Sequence, residues 1–483
     1  MDDIIKISKV NETHIKIDCD ASVAMELSDH FTFMIPNAKF HPLVKNKIWD
    51  GKIRLMNIMN RQIYAGLLDS VKDFAKSRNY EIELLSDFND NEYSLIEAEK
   101  FIKSLNIPFE PRDYQISALV HGIRKNRALL LSPTASGKSL IIYLLMRYYN
   151  ARTLIIVPTV SLVHQLAGDF ADYGFMDGDS IHRITSGTDK QSDCKIVIST
   201  WQSLYKMDKK YFSQFDVVIG DEAHLFKAKS LTSIMEKLTE CKYRFGFTGT
   251  LDGSETNKLV LEGLFGAVKK VASTVDLIEK KYLADLKIKV LMLKYSDEVK
   301  KQNKRNDYQT EIDFIVRHTG RNRFIKNLVL SLKGNTLLLF QYIEKHGKEL
   351  YSEINNEAVD RKVFFIHGGI DGTDREEIRK IVENEKNAII IASSGTFSTG
   401  VNLKNLHNVV FSSPSKSKIK TLQSIGRGLR KSNTKELMTL FDIADDLSWK
   451  SKTNYTLEHF KERLKIYASE GFDYKIYSID IKE

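Results

Sequence analysis

Arg127-Ala-Leu-Leu-Leu131 runs into Ser132-Pro-Thr-Ala-Ser-Gly-Lys-Ser139 and then into Leu140-Ile-Ile-Tyr-Leu-Leu-Met146. The reading of this stretch decides the fold. A short apolar run, a loop of small residues with one lysine, and an apolar segment predict strand, turn and helix in succession. Such a loop points backbone N–H groups outward at a helix N-terminus, where the helix dipole favours negative charge, so it suits phosphate oxygens. Lys138 would set its ammonium on the β- and γ-phosphates, and Ser139 would offer its hydroxyl to Mg²⁺. Pro133, Thr134, Ala135, Ser136 and Gly137 complete the cradle. The pattern G-x-x-x-x-G-K-[ST] is broken at its first position, where Ser132 stands. The plainer alternative is an unspecialised strand–turn–helix with an exposed lysine.

Outward from this point the same rhythm repeats. Thr153–Val157, Ile196–Ser199, Val217–Ile219 and Phe245–Thr248 are short apolar runs of the kind buried parallel strands show. Helical spacing fills Ser139–Tyr149 and Ser161–Asp169 between them. The alternation predicts a doubly wound α/β lobe over residues 107–275. Thr336–Phe340, Lys362–Ile366, Ala388–Ala392, Asn408–Phe411 and Met438–Asp442 predict a second such lobe over 325–450. Residues 276–324 read as a linker, with the charged stretch Ser296–Arg323 as a solvated helix or tether. Residues 451–483 read as a helical extension in which Leu457, Phe460, Leu464 and Tyr467 line one face.

Residues 1–105 form a unit of different rhythm, a small α+β domain. Ile15 and Ile17 alternate with polar neighbours as in a half-exposed strand, and Val71, Phe74 and Ala75 share one helix face. Lys47–Leu55 reads as a hairpin turning at Asp50-Gly51. Trp49 among Lys45, Lys47, Lys52 and Arg54 marks a candidate duplex- or junction-binding surface; lysines guarding a sheet edge are the plainer reading.

At 42% hydrophobic and 28% charged residues, the 483-residue chain is an ordinary globular protein with room for several cores. A net charge of +9 favours a polyanionic partner. Cys19, Cys194 and Cys241 have no metal-ligand spacing, which argues against a structural zinc or iron–sulfur site and fits a reducing cytoplasm. Apolar runs such as Leu140–Met146 are too short for a membrane span, and Met1-Asp-Asp begins no signal peptide, so a cytoplasmic protein is expected.

Asp221-Glu-Ala-His224 follows an apolar run, which puts its carboxylates at the C-terminal edge of a strand, where α/β ligands bind. Asp221 would hold Mg²⁺ and Glu222 would orient and deprotonate the attacking water. Acidic pairs at strand ends are also common helix caps. In Gln423-Ser-Ile-Gly-Arg-Gly-Leu-Arg430, Arg427 and Arg430 lie on one face if the segment is helical, and a guanidinium fork fits phosphate oxygens. An arginine finger contributes on the order of 10³–10⁵ in turnover.

Taken in order, these motifs resemble the superfamily-two nucleic-acid helicases over residues 109–445. Phe109-Glu-Pro-Arg-Asp-Tyr-Gln115 is similar to the adenine-reading motif and assigns Arg112 and Gln115 to the nucleotide. Val157-Pro-Thr159, Ser199-Thr-Trp-Gln202, Leu339-Phe-Gln-Tyr342, His367-Gly-Gly369 and Ser398-Thr-Gly-Val-Asn402 look like the strand-tracking elements. The fit is closest to the phage UvsW-type recombination and repair helicases, whose flanks Phe40-His-Pro42, Trp49–Leu55, Gly320-Arg-Asn322 and Ala392–Val401 are echoed here.

The resemblance implies two RecA-like lobes after a small N-terminal domain, with ATP and Mg²⁺ as cofactors. It implies ATP-driven remodelling of forks, D-loops, four-way junctions and R-loops, with strand reannealing and a 3′-to-5′ direction. Partners would be branched, single- and double-stranded DNA, RNA–DNA hybrids and a single-strand-binding protein. His224 and Gln423 join the catalytic set, and Thr248, Thr250, Gly400 and Asn402 couple the sites. Thr159, Thr200, Trp201, Gln202, Gln341, His367, Ser398 and Thr399 would hold the strand through groups easily released in each cycle. Trp201 could stack on a base or belong to the core. Ala135 stands where many relatives have glycine and is tolerable if its φ stays negative; Asn402 stands where many members have an aspartate. An RNA-directed DExH enzyme, a non-hydrolysing binding protein and a restriction-enzyme motor subunit are the alternatives.

Overall fold

The computed structural model describes residues 4–35, 38–175, 180–185, 187–251, 253–370, 372–400, 403, 405–413, 417–431 and 435–481. Two compact units result. One holds residues 1–132 and 137–271; the other holds 272–483 together with 133–136.

The chain starts with β1 (Ile4–Lys9), β2 (His14–Asp18), β3 (Thr32–Met34), β4 (Lys52–Arg54), β5 (Met56–Asn57), β6 (Gln62–Tyr64) and β7 (Glu81–Leu84). They build a mixed sheet in the order β5-β6-β2-β1-β7 and a separate ribbon of β3 and β4. Ile5, Ile7, Ile15 and Ile17 point inward at alternate positions onto Val71, Phe74 and Ala75 of the helix Leu68–Ser77, as the spacing predicts.

The predicted hairpin at Lys47–Leu55 does not form. β4 pairs antiparallel with β3, not with residues 47–49. Pro42 opens the short helix Pro42–Lys45 behind a His41 cap, and residues 47–49 turn their backbone N–H groups back onto the Val44 and Leu43 carbonyls, so they do not extend as a strand. Asp50 instead accepts from Lys52 N and pairs with Arg54, while the Trp49 indole donates to the Lys52 carbonyl at 3.0 Å.

β8 (Arg127–Leu131), β9 (Thr153–Val157), β10 (Ile181–Ile184), β11 (Ile196–Thr200), β12 (Val217–Asp221), β13 (Tyr243–Thr248) and β14 (Val268–Lys270) follow in a parallel sheet ordered β10-β11-β9-β12-β13-β8-β14. Leu130, Ile155, Val157, Ile198 and Ile219 face the helices that carry Leu144 and Phe170. Leu129, Leu154, Ile156 and Val218 face the other way, into a cluster that runs on through Leu261 and Phe265 to Ile5 and Ile17. Apolar cover on both faces is why these strands read as unbroken apolar runs.

The small N-terminal domain therefore packs as one compact unit with the first lobe. Its core is continuous with the first lobe. The seam is closely fitted: a Cβ on Gly66 would lie 2.0 Å from the Glu262 carbonyl oxygen. Tyr64 OH donates to Glu236 at 2.6 Å, and Arg127 donates to the Glu12 carbonyl at 3.0 Å. The helix Leu95–Ser104 packs Ala98 and Ile102 into the lobe core, so the lobe begins before residue 105.

The second unit is a parallel sheet of β15 (Asp285–Lys294), β16 (Thr336–Phe340), β17 (Val363–Ile366), β18 (Ile389–Ser393), β19 (Asn408–Phe411), β20 (Leu437–Asp446) and β21 (Tyr474–Asp480), ordered β17-β18-β16-β19-β20-β15-β21. Two expectations fail here. The segment 276–324 is not a linker, because β15 lies inside the sheet between β20 and β21. The C-terminal extension is not only helical, because β21 follows the helix Tyr455–Ser469.

Ser296–Arg323 divides: the helix Asp297–Asn303 is mostly exposed, as the charge pattern predicts, whereas the part from Glu311 on is largely buried. Arg321, fully buried, meets both carboxylate oxygens of Asp445 at 2.8 and 3.0 Å and donates to the Ser412 carbonyl at 2.7 Å. Glu311 accepts from the backbone N–H groups of Tyr455 and Thr456, at the start of the C-terminal helix, where the dipole favours a carboxylate. Buried charges survive here because each has its partners.

Candidate nucleotide-hydrolysis site

Strand order assembles the site. β13 lies between β12 and β8, so the C-terminal ends of the three strands stand side by side, about 4.8 Å apart. That places Asp221–His224, Thr248–Thr250 and the loop after Leu131 at one edge. Ser132 N donates to the Thr248 carbonyl at 2.9 Å and ties the loop to β13.

The helix Lys138–Tyr149 opens at Gly137, which has φ +79°. Gln115, 4% exposed, explains the glycine: its Nε2 donates to the Gly137 carbonyl at 3.4 Å, and a Cβ on Gly137 would sit 2.4 Å from that nitrogen. Gln115 Oε1 accepts from Arg112 N at 2.8 Å, closing the N-terminus of the helix Asp113–Lys125, and Arg112 Nη1 donates to Tyr114 OH. Ala135 does not meet the condition under which it would be easily tolerated. Its φ is +68°, a left-handed conformation that disfavours a Cβ, so the alanine is strained.

Lys138 Nζ stands 3.5 Å from Glu222 Oε1. Glu222 itself has φ +49°, and its backbone N donates to Asp221 Oδ1 at 2.9 Å. The acidic pair thus leaves β12 on a left-handed step that turns Glu222 toward the lysine. His224 Nδ1 lies 3.0 Å from Thr248 Oγ1 and 3.4 Å from Glu222 Oε2. Thr248 donates to the Thr250 carbonyl at 2.9 Å. Lys138, Glu222, His224, Thr248 and Thr250 form one connected chain of polar groups.

Ser139 Oγ meets Tyr173 OH at 2.7 Å, a contact that no spacing in the sequence announces. Phe109 meets the same tyrosine edge-on, with ring centroids 5.3 Å apart. The donors fit Mg²⁺: a helix-terminal hydroxyl on Ser139 and a strand-end carboxylate on Asp221 are hard oxygen ligands. Among the described residues no group of three or more His, Cys, Asp or Glu could hold a metal ion.

Gln423, Arg427 and Arg430 belong to the second unit. The helix Lys418–Gly428 carries Gln423, buried, and Arg427, whose guanidinium lies 5.9 Å from the Phe397 ring centre. The two arginines do not share a helix face, because the helix ends at Gly428 and Arg430 leaves from the turn beyond it.

The proposed strand contacts divide between the two units. Thr159 caps the helix Val160–Asp172 through Leu162 N, and Thr200 is buried with its hydroxyl 3.1 Å from Ser203. Trp201 packs partly against the core, while Gln202 is exposed. Gln341 is exposed, with its N donating to Ser413 Oγ, and His367 Nδ1 accepts from Gly369 N. Ser398, Thr399 and Gly400 lie on the helix Ser394–Gly400, and Asn402 falls outside the described residues. Lys47 and Lys52 are exposed, and Arg54 is paired with Asp50. No described helix is long and apolar enough to cross a membrane.

Comparison with known proteins follows the same layout. The family profile "DNA helicase UvsW, N-terminal" matches residues 4–85, "Type III restriction enzyme, res subunit" matches 108–253, and "Helicase conserved C-terminal domain" matches 320–432. The ATP-dependent DNA helicase uvsW of Enterobacteria phage T4 is 36% identical over 99% of this chain and 100% of its own length. The chain belongs to the UvsW family.

The crystal structure of T4 UvsW aligns over 99% of this chain and 100% of its own, with TM-score 0.53 and 35% identity. The DNA 3′-5′ translocase XPB2 of Sulfurisphaera tokodaii is 25% identical over 70% of this chain and 84% of its own. The type ISP restriction–modification enzyme LlaBIII bound to DNA, at 15% identity, covers 86% of this chain and 34% of that one with TM-score 0.58 and shares the fold alone. As a UvsW-family protein this is an ATP-driven DNA helicase of superfamily two, with two parallel-sheet lobes behind a small N-terminal domain.

Proposed function

We propose that this UvsW-family helicase remodels branched DNA, acting on forks, D-loops, four-way junctions and R-loops by unwinding, branch migration and reannealing in recombination, repair and replication. The observation that carries the reading is the linked set Lys138–Glu222–His224–Thr248, in which phosphate-binding and water-activating candidates connect to the residues leading out of β13. Lys138 takes the β- and γ-phosphates, exchanging its Glu222 partner for phosphate oxygens. Glu222, released, orients the attacking water and accepts its proton. Arg112, Gln115 and residues 133–137 seat the nucleotide. Ser139 and Asp221 hold Mg²⁺, which when bound neutralises charge on the transferred phosphoryl group. Arg427 and Arg430, with Gln423 beside them, supply further positive charge as that group separates.

Thr248 and Thr250, with Gly400 and Asn402, relay the state of the site to the strand-holding residues Thr159, Thr200, Trp201, Gln202, Gln341, His367, Ser398 and Thr399. Lys47, Trp49 and Lys52 engage duplex arms, with Arg54 as a weaker contributor because Asp50 already balances it. RNA–DNA hybrids and a single-strand-binding protein are further partners, and the host cytoplasm is the place of action, as the phage relative supports. The 3′-5′ polarity in the archaeal relative's name supports the same direction here. The test is a gel assay with ATP on forks, four-way junctions, R-loops and linear duplexes. Branched substrates should be resolved fastest; ATPase stimulated by structured RNA and not by forked DNA would overturn the reading.

A further inference from the structure

Lys435 is 2% exposed. A lysine this deep is costly unless its charge is matched, and an apolar side chain of equal volume would avoid the cost. Its Nζ donates to the carbonyl oxygen of Gly428 at 2.6 Å. Gly428 is the last residue of the helix Lys418–Gly428, and carbonyls at that end carry the partial negative charge of the helix dipole. The ammonium therefore sits where a cation is favoured, although far from water.

Gly428 leads through Leu429 to Arg430, and this short path is held from several directions. Leu429 N donates to the Ile425 carbonyl at 3.0 Å, and the Leu429 carbonyl accepts from Ala284 N at 2.9 Å. A Cβ on Gly428 would meet Met438 Cε at 3.0 Å and Val409 Cγ2 at 3.2 Å, so the backbone is pressed against β19 and β20. Lys435 is the side-chain clamp in this set. Burial pushes its ammonium down to about 7, and the next cause is the positive charge of Arg430, so the guanidinium is near enough to be felt.

We propose that Lys435 is a positioning residue for Arg430: by pinning the Gly428 carbonyl it fixes the direction in which the guanidinium leaves the turn toward the transferred phosphoryl group. The inference rests on reading Arg430 as a charge-stabilising arginine, and it adds a residue that neither the motif nor its spacing includes.

The test compares Lys435→Met, which keeps volume and loses the donor, with Lys435→Gln, which keeps a donor on a shorter arm. Arg430→Ala serves as reference, all in the full chain. Three quantities are read: kcat and KM for ATP with forked DNA, affinity for ADP–tetrafluoroaluminate, and affinity for ADP. Lys435→Met should lose at least about tenfold in kcat and as much in analogue affinity, with KM and ADP affinity within about twofold, because only binding specific to the transition state is lost. Lys435→Gln should lose less, and it carries the test alone if the methionine variant does not fold. Wild-type analogue affinity in the Lys435 variants, beside a loss in Arg430→Ala, would overturn the inference. So would a parallel loss of ADP affinity, which marks general damage. If Arg430→Ala itself keeps analogue affinity, the arginine reading fails first.

Discussion

Thr248 Oγ1 lies 3.0 Å from His224 Nδ1 and donates its only proton to the Thr250 carbonyl at 2.9 Å. With that proton so used, the hydroxyl accepts from the imidazole, which requires a hydrogen on His224 Nδ1. Glu222 Oε2, 3.4 Å from the same nitrogen, shares that proton's direction. Thr248 thus connects Glu222, through His224, to the backbone after β13.

Thr248→Val removes the acceptor and the donor together. DNA-stimulated ATPase should fall about 10- to 100-fold, the cost of leaving a buried imidazole N–H unmatched, while ATP binding by fluorescent-nucleotide titration is kept. Unchanged stimulation would separate His224 and Thr248 from coupling.

Glu222→Gln keeps shape and loses the proton acceptor. Turnover should drop by about 10²–10⁴, the range for general base catalysis, with ATP and DNA binding intact. A normal turnover number refutes the role.

Ala135→Gly relieves a left-handed residue. Removing that strain should stabilise the protein by about 1 kcal/mol after the entropy of the added glycine is counted. The midpoint of urea unfolding should rise; a fall would mean the loop leaves its positive φ in solution.

His346 is fully buried, with Nδ1 3.4 Å from Ser413 Oγ, and burial followed by the charge of Arg321 lowers its pKa from 6.5 to about 3. The unfolded chain takes up a proton below about pH 6.5 that the folded lobe refuses until about pH 3. Stability is therefore full above that window and falls as pH drops through it. His346→Gln should flatten the decline in urea midpoint between about pH 7 and about pH 4.

Replacing Lys47 and Lys52 by alanine should weaken four-way-junction binding and lower the salt slope by about 0.9 for each phosphate left without its cation, with basal ATPase unchanged. Arg54→Ala should do less, since Asp50 already balances that charge. Equal loss of binding and basal ATPase would indicate misfolding.

Much of the fold is legible in local pattern. Arg127–Leu131, Thr153–Val157, Thr336–Phe340 and Asn408–Phe411 are strands to the residue, because cover on both faces demands apolar side chains without alternation. β21 carries no such signal: an edge strand with exposed Tyr474, Ile476 and Tyr477 has no core face to read. The charged run around Glu311 and Arg321 misleads for another reason. Its partners, Asn454 and Asp445, lie more than a hundred residues on, so local polarity resembles a tether. In the site, Lys138, Glu222 and His224 are legible as motif letters, whereas Tyr173 on Ser139 and Lys435 on Gly428 exist only through tertiary packing.

The apolar cluster joining Ile5 and Ile17 to Leu129 and Leu154 has a practical corollary. The opening domain cannot be clipped off to leave a tidy minimal engine, since excision would lay bare the outer face of the helix Glu255–Phe265, whose inner face covers one side of the sheet that carries the phosphate loop. Exchanging it for a distant cousin's version would require matching substitutions at Gly66, Glu262 and Gly263, so the two pieces are bound to diverge together.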